Sequence, residues 1–135
     1  MKKIKLKREL QKKDKLLSPN FDNVFTSRST IVKPICDKQI TSKYVSWLND
    51  KSINQFLEIR HEKQTKKSII AYINYLREKP DCEMFSIFNK SEMNHIGNLT
   101  ITSFNHNNNG AVDFGLMIAD EYSRAKGVGA EVHLI

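Results

Sequence analysis

The residues best suited to chemistry lie near the end of the chain, in Arg124-Ala125-Lys126-Gly127-Val128-Gly129. Glycines at this spacing let backbone amides turn toward a ligand with no β-carbon in the way. If a helix follows, those amides sit at its N-terminus, where the dipole favours an anion. Arg124 and Lys126 add positive charge beside them. The turn is therefore predicted to cradle phosphate, with binding residues Arg124, Ala125, Lys126, Gly127, Val128, Gly129 and Ala130. Arg-x-x-Gly-x-Gly also suits an ordinary strand-to-helix turn, so its context decides.

Other reactive side chains point to less. Cys36 and Cys82 lack metal-like spacing and are expected to be buried thiols, neither a disulfide nor a zinc site. The 4 histidines are scattered, without acidic or thiol partners at ligand spacing, so no metal is expected.

The elements that must position the turn can be read upstream of it. Ser29 to Ile35 has the β-branched enrichment of a strand, and Pro34 marks its end or an edge. Residues 21–30 read as a connector. Thr41 or Ser42 caps a short helix with Tyr44, Val45 and Leu48 on one side, ending near Asn49-Asp50. The clearest helix runs from Lys66 to Lys79, with Thr65 as cap, Ile69, Ile73 and Leu76 on one face, and Pro80 as the stop. The period then changes. Met84 to Phe88 is a short apolar run, Asn89 to Asn94 is turn-like, and His95 to Phe104 alternates as a strand. Asn105 to Gly110 is a polar turn expected to close a hairpin. In the next strand Val112, Phe114, Leu116 and Ile118 share one face, and Asp113, Gly115 and Met117 the other. A helix is expected to begin at Ala130. The predicted class is α/β (α+β): a mixed, mainly antiparallel sheet flanked by helices.

Arg124, Gly127 and Gly129, placed after a strand, resemble the signature of the GCN5-related N-acetyltransferase (GNAT) superfamily. That signature is Arg or Gln, two residues, Gly, one residue, then Gly or Ala, where the fourth strand passes into a helix. Tyr44-Val45-Ser46-Trp47-Leu48-Asn49-Asp50, Phe56-Leu57-Glu58, His95-Ile96-Gly97-Asn98-Leu99 and Asp113-Phe114-Gly115-Leu116-Met117-Ile118 are similar, in order and spacing, to one branch. That branch includes ribosomal-protein N-terminal acetyltransferases and bacterial amino-sugar N-acetyltransferases. The likeness covers residues 28–135.

The resemblance implies acetyl-CoA as cosubstrate, no metal, and direct attack of an amine on the thioester. It implies that backbone amides of Leu116, Met117 and Ile118 contact the cofactor and polarise its carbonyl. The amine must also lose a proton. Asp113 is the first candidate base and Glu58 the second, with His61 beside it; the alternative for Asp113 is a solvated strand residue. His95 and His106 read as structural or solvent-facing.

The family fold continues beyond this helix with a further strand and more, including a tyrosine general acid. On that resemblance, residues 28–135 are expected to be the N-terminal portion of the domain behind a leader and connector at 1–27. They should leave an unpaired sheet edge and an uncovered apolar face. The alternative is a truncated, non-catalytic CoA-binding or oligomerising module. Expected partners are acetyl-CoA, a small-molecule or peptide amine, and a second copy through the open edge.

Composition sets the outer bounds. Hydrophobic content of 39% and charged content of 27% are those of a globular chain. The net charge of +7 invites a nucleic-acid reading, but residues 1–15 carry +6 of it and the remainder only +1. Basicity is a property of the leader, so nucleic acid is not the expected partner. No apolar run approaches the roughly 20 residues that span a bilayer. The N-terminus lacks the apolar stretch of a secretory signal, and the expected location is cytoplasmic.

Overall fold

The computed structural model describes residues 15–54, 62–103, 112–120, 123–124 and 127–133. Its strands are β1 (Phe25–Thr26), β2 (Thr30–Pro34), β3 (Glu83–Asn89), β4 (His95–Ser103) and β5 (Val112–Ile118). Its α-helices are α1 (Ser42–Asn49), α2 (Lys51–Asn54), α3 (Lys66–Arg77) and α4 (Val128–His133), with a 3-10 turn at Asp37–Gln39. The five strands form one sheet in the order β1-β2-β3-β4-β5, antiparallel throughout. This is an α+β fold with no parallel pair among the described strands.

Both faces of the sheet are covered. In β3, Met84 packs beneath α1 and α3 with Tyr44, Trp47, Ile73 and Leu76. The alternate residues Phe85 and Ile87 join Val32, Ile96 and Ile118 under α4. That two-sided cover explains why Glu83 to Phe88 are all buried and the apolar residues of β3 fall on both faces.

Helices α1 and α3 each start where a side chain satisfies a first-turn amide. Thr41 accepts the Tyr44 amide at 3.2 Å. Thr65 and Ser68 form a reciprocal box at 3.1 and 2.8 Å. Helix α3 stops at Arg77, two residues short of the predicted Lys79, because Glu78 tightens back to Asn74 and Leu76. The apolar face of α1 also differs from expectation. Trp47 is buried there in place of Val45, which is half-buried.

Four further differences have clear causes. The connector 21–30 contains β1, held by a hairpin bond from Ser27 to Thr30 and by Phe25 set edge-on to Phe85. The strand before the glycine turn is therefore fifth in chain order. Phe114 shares its parity with Leu116 and Ile118 yet is 51% exposed, because the core under α4 does not extend that far along β5. Cys82 is buried but Cys36 is only half-buried, its thiol donating to Gln39 Oε1 at 2.8 Å. Helix α4 starts at Val128, where Gly127 and not Ala130 closes the turn.

The stretch before β1 is docked. Asn74 takes the Leu17 amide at 2.8 Å and donates to the Lys15 carbonyl at 3.0 Å. Asn20 donates its amide to Glu83 and its side chain to the Lys79 and Cys82 carbonyls. Residues 1–14, with most of the basic leader, lie outside the described residues, as does the predicted turn at Asn105–Gly110. Among the described residues no helix is long and apolar enough to cross a membrane.

Candidate functional site

Strand β5 is the last of the sheet, with no partner on its outer edge among the described residues. Ala119 donates its amide to the Ile96 carbonyl at 2.8 Å. Antiparallel alternation carries that phase back along β5. The Gly115 and Met117 amides face β4, and those of Phe114, Leu116 and Ile118 face the open edge. The side chain of Met117 is buried among the residues under α1 and α3, while Leu116 and Ile118 pack toward α4.

The chain leaves β5 into a capped turn. Asp120 accepts the Ser123 amide at 3.1 Å and the Ser123 hydroxyl, and its carbonyl takes the Arg124 amide at 3.0 Å. The Gly127 amide closes on the Arg124 carbonyl at 3.1 Å. Gly127 has φ +77°, a conformation that side chains rarely adopt, and open space lies where a β-carbon would stand. From there α4 turns under the sheet. Val128 is buried, Ala130 is exposed, and Gly129 rides over β5, a β-carbon there lying 3.5 Å from Leu116 Cδ2. Arg124 is exposed. Ala125 and Lys126 lie outside the described residues.

The charge of Arg124 is felt at the α1 end of the molecule. Asp50, the C-cap of α1, is held below the usual carboxylate range. The Ser52 hydroxyl and amide bonds are the largest cause, and the Arg124 charge adds to them. Asp50 and Arg124 are 74 positions apart, so no local pattern relates the two charges.

The candidate bases are differently placed. Asp113 stands opposite Thr102 in the β4–β5 ladder, in phase with Gly115 and Met117. Glu58, His61 and His106 lie outside the described residues. On either side of Glu58 and His61 in the sequence, Asn49 and Gln64 are clasped together. Asn49 accepts the Gln64 amide at 2.7 Å and returns a bond to the Gln64 carbonyl at 2.9 Å. Beside that clasp an open groove runs past the first turns of α1 and α3, edged by Lys38, Thr41, Lys63 and Thr65.

His95 is half-buried against three rings, Tyr44, Trp47 and Phe88, at centroid distances of 5.6, 5.0 and 5.5 Å. Its Nε2 meets Asn98 Oδ1 at 2.8 Å. Burial pushes its pKa below the ordinary value, only partly offset by the Asn98 bond. No group of three or more His, Cys, Asp or Glu able to hold a metal occurs among the described residues.

No family model matches the chain, and no curated protein matches it in sequence. Solved structures do. FdhC, a nucleotide-linked sugar GNAT in its apo form, superposes with TM-score 0.60 at 12% identity, over 82% of this chain and 62% of that one. A protein assigned as a ribosomal-protein-serine acetyltransferase from Vibrio cholerae gives 0.62 at 20% identity, over 86% and 64%. A domain from Methanocaldococcus jannaschii gives 0.59 at 18%, over 81% and 68%. The chain thus spans less than two thirds of the length of the first two. Its five-stranded antiparallel sheet with helices is an α+β fold that matches that of these GNAT structures.

Proposed function

We propose that this chain is an acetyl-CoA-dependent N-acyltransferase domain that acetylates an amine, on an amino sugar or on a protein or peptide. One observation carries the reading: the outward amides of Leu116 and Ile118 lie on an open strand edge that leads straight into the Arg124–Gly127 turn. An extended, amide-containing arm ending in a diphosphate fits such a track, because edge amides and turn amides are the donors it needs. Gly127 keeps the turn free of side-chain obstruction, and Arg124 supplies charge.

Bound acetyl-CoA would supply an activated acetyl thioester. In the transfer a C–N bond forms to the acceptor amine and the C–S bond breaks, while the amine's proton passes to a base and the thiolate takes one up. Edge amides of β5 would stabilise negative charge on the carbonyl oxygen. Asp113, with Glu58 as the second candidate, is proposed as the base. Both acceptor classes have a counterpart among the structural neighbours, one a nucleotide-linked sugar GNAT and the other assigned as a ribosomal-protein-serine acetyltransferase. A cytoplasmic location goes with this reading, since free thiols such as Cys36 and Cys82 persist there.

Thermal unfolding with and without acetyl-CoA is the first test. A ligand that selects the native state must raise the midpoint, by an amount set by its concentration over Kd. A folded protein with no shift at millimolar acetyl-CoA would sink the proposal. Thiol release across amino-sugar and peptide acceptors then separates an enzyme from a non-catalytic CoA-binding module.

A further inference from the structure

Helix α4 (Val128–His133) is held in place by tertiary anchors. Val128 and Val132 supply apolar ones, packing against Val32, Phe85 and Ile87. Glu131 supplies a polar one of a different kind. Its carboxylate accepts the Ser27 hydroxyl at 2.8 Å, the Ser29 hydroxyl at 2.6 Å and the Ser29 backbone amide. Ser27 also bonds to Thr30 Oγ1, so the acceptor network runs on into β2. The donors lie 102 and 104 residues away in sequence, at the turn of the β1–β2 hairpin. Glu131 thus ties the far edge of the sheet to the helix that directly follows the glycine turn.

We infer that Glu131 is a positioning residue for that turn, and that the Ser27–Ser29 hairpin is the partner that sets its geometry. The inference deepens the acetyl-CoA reading and rests on it for its binding consequence. The link to Gly127 is direct, since the Glu131 amide closes the first helical bond onto the Gly127 carbonyl at 3.1 Å. A shift of the Glu131 side chain therefore acts one turn away, at the residue whose φ of +77° opens the cradle. The arrangement also settles a puzzle of charge. A carboxylate in the first turn of a helix proposed to hold a diphosphate would oppose the ligand. Three donors hold this one ionised and keep it engaged with the β1–β2 turn, and the Arg28 charge acts in the same sense.

Four variants of the full chain test the inference: Glu131→Ala, Ser29→Ala, Glu131→Lys, and Glu131→Lys combined with Ser29→Asp. Acetyl-CoA Kd is read by calorimetry, and amide exchange is followed at Val128 to Val132. Removing the carboxylate should weaken binding about tenfold, the scale of charge-assisted hydrogen bonds. It should also speed exchange in α4, with Ser29→Ala showing a smaller effect in the same direction. Glu131→Lys should lose as much, and adding Ser29→Asp should recover most of it by restoring an opposite-charge pair across the same contact. Ile73→Val, destabilising but remote from the turn, should leave Kd unchanged and so separates positioning from general loss of stability. Unchanged Kd and exchange in Glu131→Ala, or no recovery in the charge-swapped double variant, would overturn the inference. If the wild type itself fails to bind acetyl-CoA, the functional reading falls, and the exchange measurements alone still decide whether Glu131 holds the turn.

Discussion

A β-carbon on Gly97 of β4 would stand 2.1 Å from the Met117 carbonyl oxygen of β5 and 3.1 Å from Ile118 Cα. No side chain fits there without moving the strand. The close approach coincides with a bulge, since Ile87 pairs with Gly97 while Phe88 pairs with His95, leaving Ile96 as the extra residue. Gly97 therefore sets how near β5 lies to the sheet at the point where its edge amides are presented. Gly97→Ala should cost about 1–3 kcal/mol or more, the range for overpacking a tight site. Urea unfolding gives that loss. Acetyl-CoA affinity should fall beyond what a core variant of equal instability shows. A fully stable Gly97→Ala protein would mean that β5 is free to move, contrary to the geometry.

The second prediction concerns the buried pair of Arg77 and Glu83, joined at 2.9 Å with side chains 1% and 0% exposed. Arg77 also donates to the Leu17 and Ile35 carbonyls, and Glu83 accepts the Asn20 and Met84 amides. The network fastens the stretch before β1 to α3 and β3. Arg77→Met or Glu83→Leu alone strands a charge and several polar partners, with an expected loss of about 3–5 kcal/mol. The double variant should be less destabilised than the two single losses added together. Chemical denaturation of all four proteins completes the cycle, and simple additivity would show that the pair is not coupled.

Much of this framework was legible in the sequence because local signals agreed with one another. Thr65 as cap, the spacing of Ile69, Ile73 and Leu76, and Pro80 as a limit all describe α3. The alternation of Val112 to Ile118 likewise describes β5, although Phe114 is exposed and the following helix starts at Val128. What escaped notice depends on partners distant in sequence. β1 has two residues and exists because Phe25 meets Phe85. Trp47 is buried because β4 brings His95 against its ring, at 5.0 Å. The bond between Ser29 and Glu131 spans 102 residues, and no local pattern in either segment announces it. Asp113 had a register but no environment in the sequence, and Glu58 had neither.

His95 gives a pH signature. Burial among Tyr44, Trp47 and Phe88 lowers its pKa, so the native state takes up a proton less readily than the unfolded chain. Its contribution to stability is complete above the ordinary histidine value of about 6.5 and is lost as pH falls below it toward the native value. The midpoint of urea unfolding should therefore drop as pH is lowered from about 7.5 to about 5. His95→Gln should flatten that part of the curve. Glu131, also held low, acts in a more acidic window and does not obscure it. An identical pH profile in His95→Gln would assign the drop to other groups.

Arg124 and Asp50 should act on ligand binding in opposite directions. Arg124 is the exposed cation at the turn, and its field is felt at the Asp50 carboxyl. Arg124→Ala should raise the acetyl-CoA Kd about tenfold, the scale of a lost charge-assisted contact. Asp50→Asn removes the competing anion and should tighten binding modestly, with the gain shrinking as salt screens both charges. Calorimetry at low and moderate ionic strength distinguishes the two. Weaker binding in Asp50→Asn would show that Asp50 holds Arg124 in place and does not compete with the ligand.

The open edge of β5 makes the final prediction. A strand with no neighbour among the described residues presents outward amides and carbonyls, and such edges pair with another chain unless charge or a bulge prevents it. Along β5 the outward amides include those of Leu116 and Ile118, and the Phe114 side chain is 51% exposed. Asp113 is the one charged residue of Val112–Ile118, near its start, and no proline interrupts the strand. A second copy of this chain, laying its β5 antiparallel to the first, satisfies those groups and covers both Phe114 rings. Sedimentation should show a concentration-dependent dimer. Phe114→Lys adds one charge from each copy at the seam, where like charges oppose pairing. It should shift the chain to monomer, with a thermal midpoint changed by no more than the lost dimer contacts explain. If the dimer persists in Phe114→Lys, the copies associate through another surface. If the wild type is monomeric at every concentration, the edge is not self-complementary. Acetyl-CoA supplies the last discrimination, because the proposed ligand runs along the same amides and should dissociate a dimer built on them.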